Sequence, residues 1–573
     1  MKLAPQDKNW HSDIEMPKSV SNDSEIEWDF TTDVIVIGLG GAGVACALQS
    51  IELGQSVIAI DRFSGGGATA ASGGVIYAGG GTALQKEAGV QDTPENMFNY
   101  LKMEVGNIVS DECLKDFCNQ SAPTISWMQS HGVDLRATLW SKKTSYPAPE
   151  YFLYHSDNSL VPHYAKHATP AARGHRGYVP IEQGRKATNL GGSLFEPLRK
   201  SAEQKGIKCL EFTEVRQLIT NPQSRVIGVK CLQFENAETL ETYLQLRAKA
   251  KKLFTLFPPI MPGSKFFMRK ALKHLQKAKA LEENRTPLFI KANRGSLLSA
   301  GGFIFNSKMV ADYAPKYKAS YPLGTDGDNG AGIRLGESVG GKAENMDRVT
   351  AWRFINPPLS FAKGMIVNSS GQRFINEMVY GATLGVEMTE NHGGEAWMIL
   401  DRTLIKQALF EVSGKKALTF QKALAQLNAR FGAKKSKTLD GLAEKISMDA
   451  QALAATVKDY NAIASGESLD PFHKAQDDAA PIKDGPFYAI NIGLRAKLFP
   501  CPALTLGGLK VDEKTGQVLR DDTTPIEGLY AAGRNAVGIA SWNYVSGLSI
   551  ADGIYSGRRA AKAMSENNAQ PLS

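Results

Sequence analysis

The run Asp33-Val34-Ile35-Val36-Ile37 leads straight into Gly38-Leu39-Gly40-Gly41-Ala42-Gly43, and Asp61 closes the next apolar run. That order predicts a buried strand, a tight turn, a helix from Val44 to Leu53 and a second strand from Ser56 to Ile60. It is the layout of a dinucleotide-binding βαβ unit. Gly38 permits the turn, Gly40 lets backbone approach a pyrophosphate, Gly43 packs helix on strand, and Asp61 holds a ribose hydroxyl. A glycine-rich turn alone recurs in many α/β proteins, and only the flanking elements make this one specific. It names neither the cofactor nor the reaction.

At 573 residues the chain exceeds one ordinary core, so more than one domain is expected. The six cysteines (Cys46, Cys113, Cys118, Cys209, Cys231, Cys501) are scattered without a CxxC pair, which suits a reducing compartment and offers neither a disulfide framework nor a zinc site. Residues 1–28 are polar and lack an apolar signal core, so they read as a mobile or draped arm, and the expected location is cytoplasmic. Charge is uneven. Arg247, Lys249, Lys251, Lys252, Lys265, Arg269, Lys270, Lys273, Lys277 and Lys279 fall in one stretch without an acid, so the rest of this +8 chain is slightly acidic. The same stretch carries the apolar run Leu253 to Met261 and Phe266-Phe267-Met268. Two readings stay open: a segment about 247–280 lying on the inner, anionic face of a membrane, or an insertion packed on the body with solvated lysines outside. The run is too short to span a bilayer, and nothing else resembles a nucleic-acid module, so no nucleic-acid partner is expected.

Further along, Gly65 to Gly74 reads as a small-residue loop, Leu194 to Gly206 as a helix, and Lys208 to Leu218 and Val226 to Phe234 as two strands. A basic insertion follows at about 240–290, then a short strand region from Gly295 to Phe305. Helices mixed with short strands fill residues 313–486, and strand and turn signals resume from Phe487 to a last helix, Gly547 to Met564. The expected division is therefore an arm (1–28), a nucleotide domain built from 29–312 and 487–573, and an inserted α+β capping domain (313–486).

Taken in order and spacing, Gly38 to Gly43, Asp61, Thr69 to Gly74, Val215, Ala300-Gly301-Gly302, Gly327-Asp328 and Gly528 to Gly533 resemble the flavoproteins of the fumarate reductase and succinate dehydrogenase superfamily. The resemblance runs from about Asp33 to Lys562, leaving out the basic insertion. It implies an α/β fold with a Rossmann-like FAD-binding domain made from both chain ends, capped by the insert. It implies FAD contacts at Gly38, Gly40, Gly41, Ala42, Gly43, Asp61, Arg62, Thr69, Ala70, Ser72, Gly73, Gly74, Val215, Ala300, Gly301, Asp328, Gly533 and Arg534. The last helix would point its start, Gly547, Leu548, Ser549 and Ile550, at the flavin, where its dipole favours negative charge. Relatives with covalent flavin carry a His before the Ser-Gly-Gly, and Ala68 to Ala71 hold none, so FAD is expected to be noncovalent.

Dicarboxylate reductases of this superfamily clamp their substrates with His and Arg. Here Trp352 to Pro358 and Ala540 to Gly547 offer aromatics and hydroxyls instead, which suits a bulky, mostly apolar substrate. Pro170 to Arg176, Gln372 to Glu377 with Tyr380, and the closing segment resemble 3-ketosteroid dehydrogenases. Tyr544-Val545-Ser546-Gly547 resembles the Δ4 branch, whereas the Δ1 branch carries a Pro-Gly-rich turn there. The implied reaction removes a C4 proton and a C5 hydride from a saturated 3-ketosteroid, the hydride going to flavin N5, and passes electrons to a quinone or another acceptor. The resemblance assigns Tyr544 to the C3 oxygen and Ser546, helped by Tyr380, to the C4 proton. Serine alone is a poor base, so a relay through tyrosine to water is required. The runner-up is a Δ1-dehydrogenase; a reductase of an α,β-unsaturated acid and a flavin-binding partner protein with little turnover are the other readings. Plainer roles exist for each residue: packing tyrosines, Ser546 as a helix cap, Arg534 as a surface charge. His163, His167 and His175 cluster in sequence, and solvated or substrate-loop positions suit them better than a metal site.

Overall fold

A computed structural model of the chain describes residues 10–187, 189–256 and 264–566. β1 (Phe30–Ile37), α1 (Gly41–Glu52) and β2 (Val57–Ile60) form the βαβ unit, with β1 and β2 parallel from Val34 opposite Val57 to Ile37 opposite Ile60. Val34, Ile35 and Val36 are wholly buried, as a strand covered on both faces requires. β3 (Lys208–Leu210) extends the sheet beside β2, while β4 (Thr213–Thr220) and β5 (Val226–Gln233) form an antiparallel hairpin. The single strand expected from Lys208 to Leu218 is thus two. Phe212, at φ 51°, turns the chain between them, and each joins a different neighbour.

The basic stretch folds as a helical hairpin, α2 (Ala237–Leu256) and α3 (Ser264–Leu281); residues 257–261 of its apolar run lie outside the described residues. β6 (Thr286–Leu298) comes next and starts well before the expected Gly295. Leu288, Ile290 and Ala292 point inward with the period of two that defines a strand, a pattern masked in sequence by the charged residues Glu282, Glu283 and Arg285 just before it. The first half of β6 pairs antiparallel with β5, and its second half lies parallel to β1 and to β7 (Pro525–Ala531). α4 (Leu548–Glu566) then crosses α1 so closely that a Cβ on Gly557 would stand 2.2 Å from the Ala42 carbonyl. One sheet therefore takes strands from distant parts of the chain, and the helices at its nucleotide edge come from both.

From residue 10 onward the arm lies against this body. Trp10, Ile14, Val20 and Ile26 are buried, and Lys18–Ser19 pairs with the edge of β4. Gly65 to Gly74, read as a loop, contains one helical turn, Gly67–Ala71. A four-stranded sheet of Val75–Tyr77, Gly174–Arg176, Leu153–Tyr154 and Leu139–Trp140 lies beyond it. Within 313–486, the strands Met365–Val367, Trp397–Leu400 and Ala433–Ser436 join Phe487–Asn491 in an antiparallel sheet. Beside it Arg373, Glu377, Asp470 and Lys474 form a buried ionic cluster.

Candidate active site

A single cavity of about 1660 Å³ runs from the start of α1 to the sheet edge at Pro502. Pockets for one small molecule span about 300–1,000 Å³. This cavity has room for a dinucleotide-sized group and a second ligand.

At its nucleotide end, Gly40 caps α1 without a side chain, and the Gly41 amide donates to Thr69 Oγ1 at 3.1 Å. The other first-turn amides face outward as a helix N-terminus does, ready for an anion. Gly43 shows why the third glycine is needed: a Cβ there would stand 2.1 Å from the Gly38 carbonyl. Asp61 takes the Leu39 and Phe63 amides, each at 2.8 Å, which fixes its carboxylate in the wall. Burial raises its pKa. Arg62 pairs with Glu214 and Glu282, each at 3.1 Å. Arg534 is no surface charge: its side chain is 10% exposed, donates to Asp328 at 2.5 Å, and leaves Nη1 buried with no partner among the described residues. Asp328 in turn holds the Gly302 and Thr325 amides. Gly38, Gly40, Gly41, Ala42, Thr69, Ala70, Ser72, Gly73, Val215, Ala300, Gly301, Gly533, Gly547, Ser549 and Ile550 also line the cavity. Gly43, Gly74 and Leu548 do not. Gly43 is packed on Gly38, Gly74 backs onto the Leu190 carbonyl, and Leu548 is wholly buried.

At the other end an aromatic wall gathers Trp352, Phe354, Tyr380 and Tyr544 with Leu323 and Leu504. The Tyr544 ring meets Trp352 edge-on at 5.1 Å, and Trp352 Nε1 donates to the Tyr380 hydroxyl at 3.0 Å. Ser546 is brought here by two straps: its amide donates to the Ser156 carbonyl at 3.1 Å, and Tyr77 N–H donates to the Gly547 carbonyl at 3.2 Å. The Ser546 hydroxyl stands beside the Tyr380 hydroxyl and 3.4 Å from that of Tyr154. Burial pushes the Tyr380 phenol well above its usual pKa and raises those of Tyr154 and Tyr544, so all three stay protonated donors at neutral pH.

Tyr154 was not picked out in the sequence. It sits in a two-residue strand, 392 residues from Ser546, and so carries no periodic signal. The three histidines have separate settings. His175 is buried in its strand beside Thr82 at 3.1 Å, which overturns its reading as a solvated side chain, whereas His163 and His167 are exposed. Arg353, the cation nearest in sequence to the aromatic wall, is buried and donates to the carbonyls of Phe499, Pro500 and Gly493. It is not free to clamp a carboxylate.

Residues 33–550 match the model of the FAD-binding-domain family. The chain belongs to that family. FAD is the cofactor of this flavoprotein, and the uncapped start of α1, the glycine cradle and the unpartnered nitrogen of Arg534 suit it. The flavoprotein is 37% identical over 519 residues to a 3-oxo-5-alpha-steroid 4-dehydrogenase of Comamonas testosteroni, covering 90% of this chain and 94% of that one. It is 25% identical to a 3-oxosteroid 1-dehydrogenase of Mycolicibacterium smegmatis, covering 87% and 91%. Its fold matches the crystal structure of a 3-ketosteroid-delta4-(5alpha)-dehydrogenase from Rhodococcus jostii RHA1 in complex with 4-androstene-3,17-dione, with a TM-score of 0.79, 28% identity, and coverage of 96% of this chain and 100% of that one.

Proposed function

We propose that this flavoprotein dehydrogenates a saturated 3-ketosteroid of 5α ring fusion at C4–C5, giving a 3-oxo-Δ4-steroid. The observation that carries the reading is the placement of Ser546 between two buried phenols on an apolar aromatic wall. Tyr544 donates a hydrogen bond to the C3 oxygen, which acidifies C4 as an oxyanion-stabilising donor does. Ser546 takes the C4 proton as its own hydroxyl proton moves to the oxygen of Tyr380 or Tyr154, whose phenol proton passes on to water. Noncovalently bound FAD supplies the acceptor for the C5 hydride. Trp352, Phe354 and Leu504 keep water from the ring system and stack the flat substrate. A carboxylate substrate fits poorly, because Arg353 is occupied by backbone carbonyls.

Electrons then pass to a quinone or a similar acceptor. The outer face of α3 suits such traffic, since Phe266 and Leu272 stand out among Arg269, Lys270, Lys273 and Lys277, the composition of a helix that rests on anionic lipid. Pelleting with anionic vesicles tests that part separately, and salt-insensitive absence from the pellet refutes it. For the reaction, a 5α-3-ketosteroid is incubated with a dye acceptor and the product identified by NMR. A C4=C5 product is expected. A C1=C2 product with C4–C5 still saturated would instead assign the Δ1 reaction, and no turnover would remove the steroid reading.

A further inference from the structure

The helical hairpin does more than cover the surface. Leu244, Arg247 and Phe254 of α2 form a wall of the same cavity that Asp61, Phe63 and Val215 line. Arg247 is fixed there on three sides. It donates to Asp326 at 2.5 Å, and its guanidinium carbon lies 4.5 Å from the centre of the Phe63 ring and 5.6 Å from that of Tyr243. At the foot of the hairpin, Glu282 pairs with Arg62 at 3.1 Å and accepts from the Tyr243 hydroxyl at 3.0 Å. Ion pairs therefore tie the hairpin to the end of β2 through Arg62 and to the 324–328 loop through Asp326. Ala250 and Ala271, both wholly buried, let the hairpin close up, while Leu244 and Phe254, at 38% and 36% exposed, turn apolar surface toward the cavity.

We propose that α2 roofs the adenosine half of the FAD site, with Arg247 offering its guanidinium plane to the adenine and Leu244 and Phe254 shielding it from water. A guanidinium already held beside a ring and a carboxylate loses little freedom on stacking against a base, and Arg is the cation suited to that contact. The basic segment thereby becomes part of the cofactor site, a role that holds whether or not the steroid reading does.

Two measurements test it. In the first, ADP is titrated into full-length protein freed of flavin, and hydrogen exchange of the 237–256 backbone is followed. ADP is expected to slow exchange there several-fold, and unchanged exchange at saturating ADP would overturn the proposal. In the second, FAD and ADP dissociation constants are compared for wild-type protein, Arg247→Ala and Leu244→Ser. Both variants should weaken both ligands by about tenfold, the loss of one well-placed contact. Dissociation constants within twofold of wild type, in proteins with an unchanged melting curve, would sink it; riboflavin, which has no adenosine, should bind all three proteins alike.

Discussion

Replacing Tyr380 by Phe removes one oxygen from the centre of the aromatic wall, and the structure gives two magnitudes for its loss. Trp352 Nε1, in a residue only 3% exposed, donates to that oxygen at 3.0 Å. A buried donor left unpaired costs about 1–3 kcal/mol, so the variant should lose that much stability in urea. The larger effect is kinetic. With the phenol gone, Ser546 keeps Tyr154, at 3.4 Å, as its one proton partner among the described residues. Loss of a positioned acid–base group lowers the chemical step about 10²–10⁴-fold, or about 2.7–5.4 kcal/mol of barrier.

Stopped-flow bleaching of the flavin with ordinary and C4-deuterated 5α-3-ketosteroid reads that step directly. The expected result is a rate lower by at least 10²-fold with a larger isotope effect, because proton removal has become harder than hydride removal. Substrate affinity should change little. Burial holds the Tyr380 phenol well above its usual pKa, so wild-type bleaching should show no limb from its ionisation up to about pH 10. A variant that lost the expected stability but bleached within threefold of wild type would refute the relay and leave Tyr380 as a partner for Trp352 alone.

Other outcomes follow from single features. Gly43→Ala should yield protein without the 450 nm flavin band, since the added Cβ would stand 2.1 Å from the Gly38 carbonyl; a normal band would contradict the glycine cradle. Glu104 is pushed up to about 7 by burial, although it accepts from Tyr100 at 2.5 Å and Asn158 at 2.7 Å. Its neutral form is thus the stabilising one: that contribution is complete below about pH 4.5, its unfolded value, and is lost as pH rises through 7. Glu104→Gln should therefore gain on wild type over that window, by on the order of 3 kcal/mol, and a gain flat from pH 4.5 to 8 in denaturant titrations would disprove the shift. Lys474 donates to Glu377 at 3.0 Å, to the Ala362 and Gly364 carbonyls, and to Tyr460, so Lys474→Met should cost about 3–5 kcal/mol in urea unfolding; a loss under 1 would mean the cluster is not a buried ion pair in solution.

How far the sequence reached depended on whether a signal was local. β1, the glycine turn, α1 and β2 are contiguous, and each has its own period or steric rule, so Gly38 to Asp61 announces both an architecture and a nucleotide. Tyr544 and Ser546 were visible only through resemblance, because nothing in four residues before a helix distinguishes a site from a cap. Tyr154 had neither help. Its strand is two residues long, and it meets Ser546 through a sheet whose partners are spread from Val75 to Arg176. β6 was half hidden because the alternation of Leu288, Ile290 and Ala292 follows closely on a charge-rich helix.

The basic hairpin shows a different limit. Its composition fits a lipid-facing helix and a packed one equally well, since nine of its ten cations lie outside the inner stripe and a count of charge does not say which side each one takes. The inner side has its own pattern: Tyr243, Arg247, Ala250 and Phe254 recur every three or four residues along α2, one stripe of a helix, and that stripe contains a single charge. An arginine alone among apolar residues on a packing face requires a partner. Asp326 answers for one edge of its guanidinium, and Phe63 and Tyr243 stand beside it. A stripe that opens onto the cavity beside Asp61, and sets Arg247 there, is built for what the cavity holds rather than for the outer surface alone.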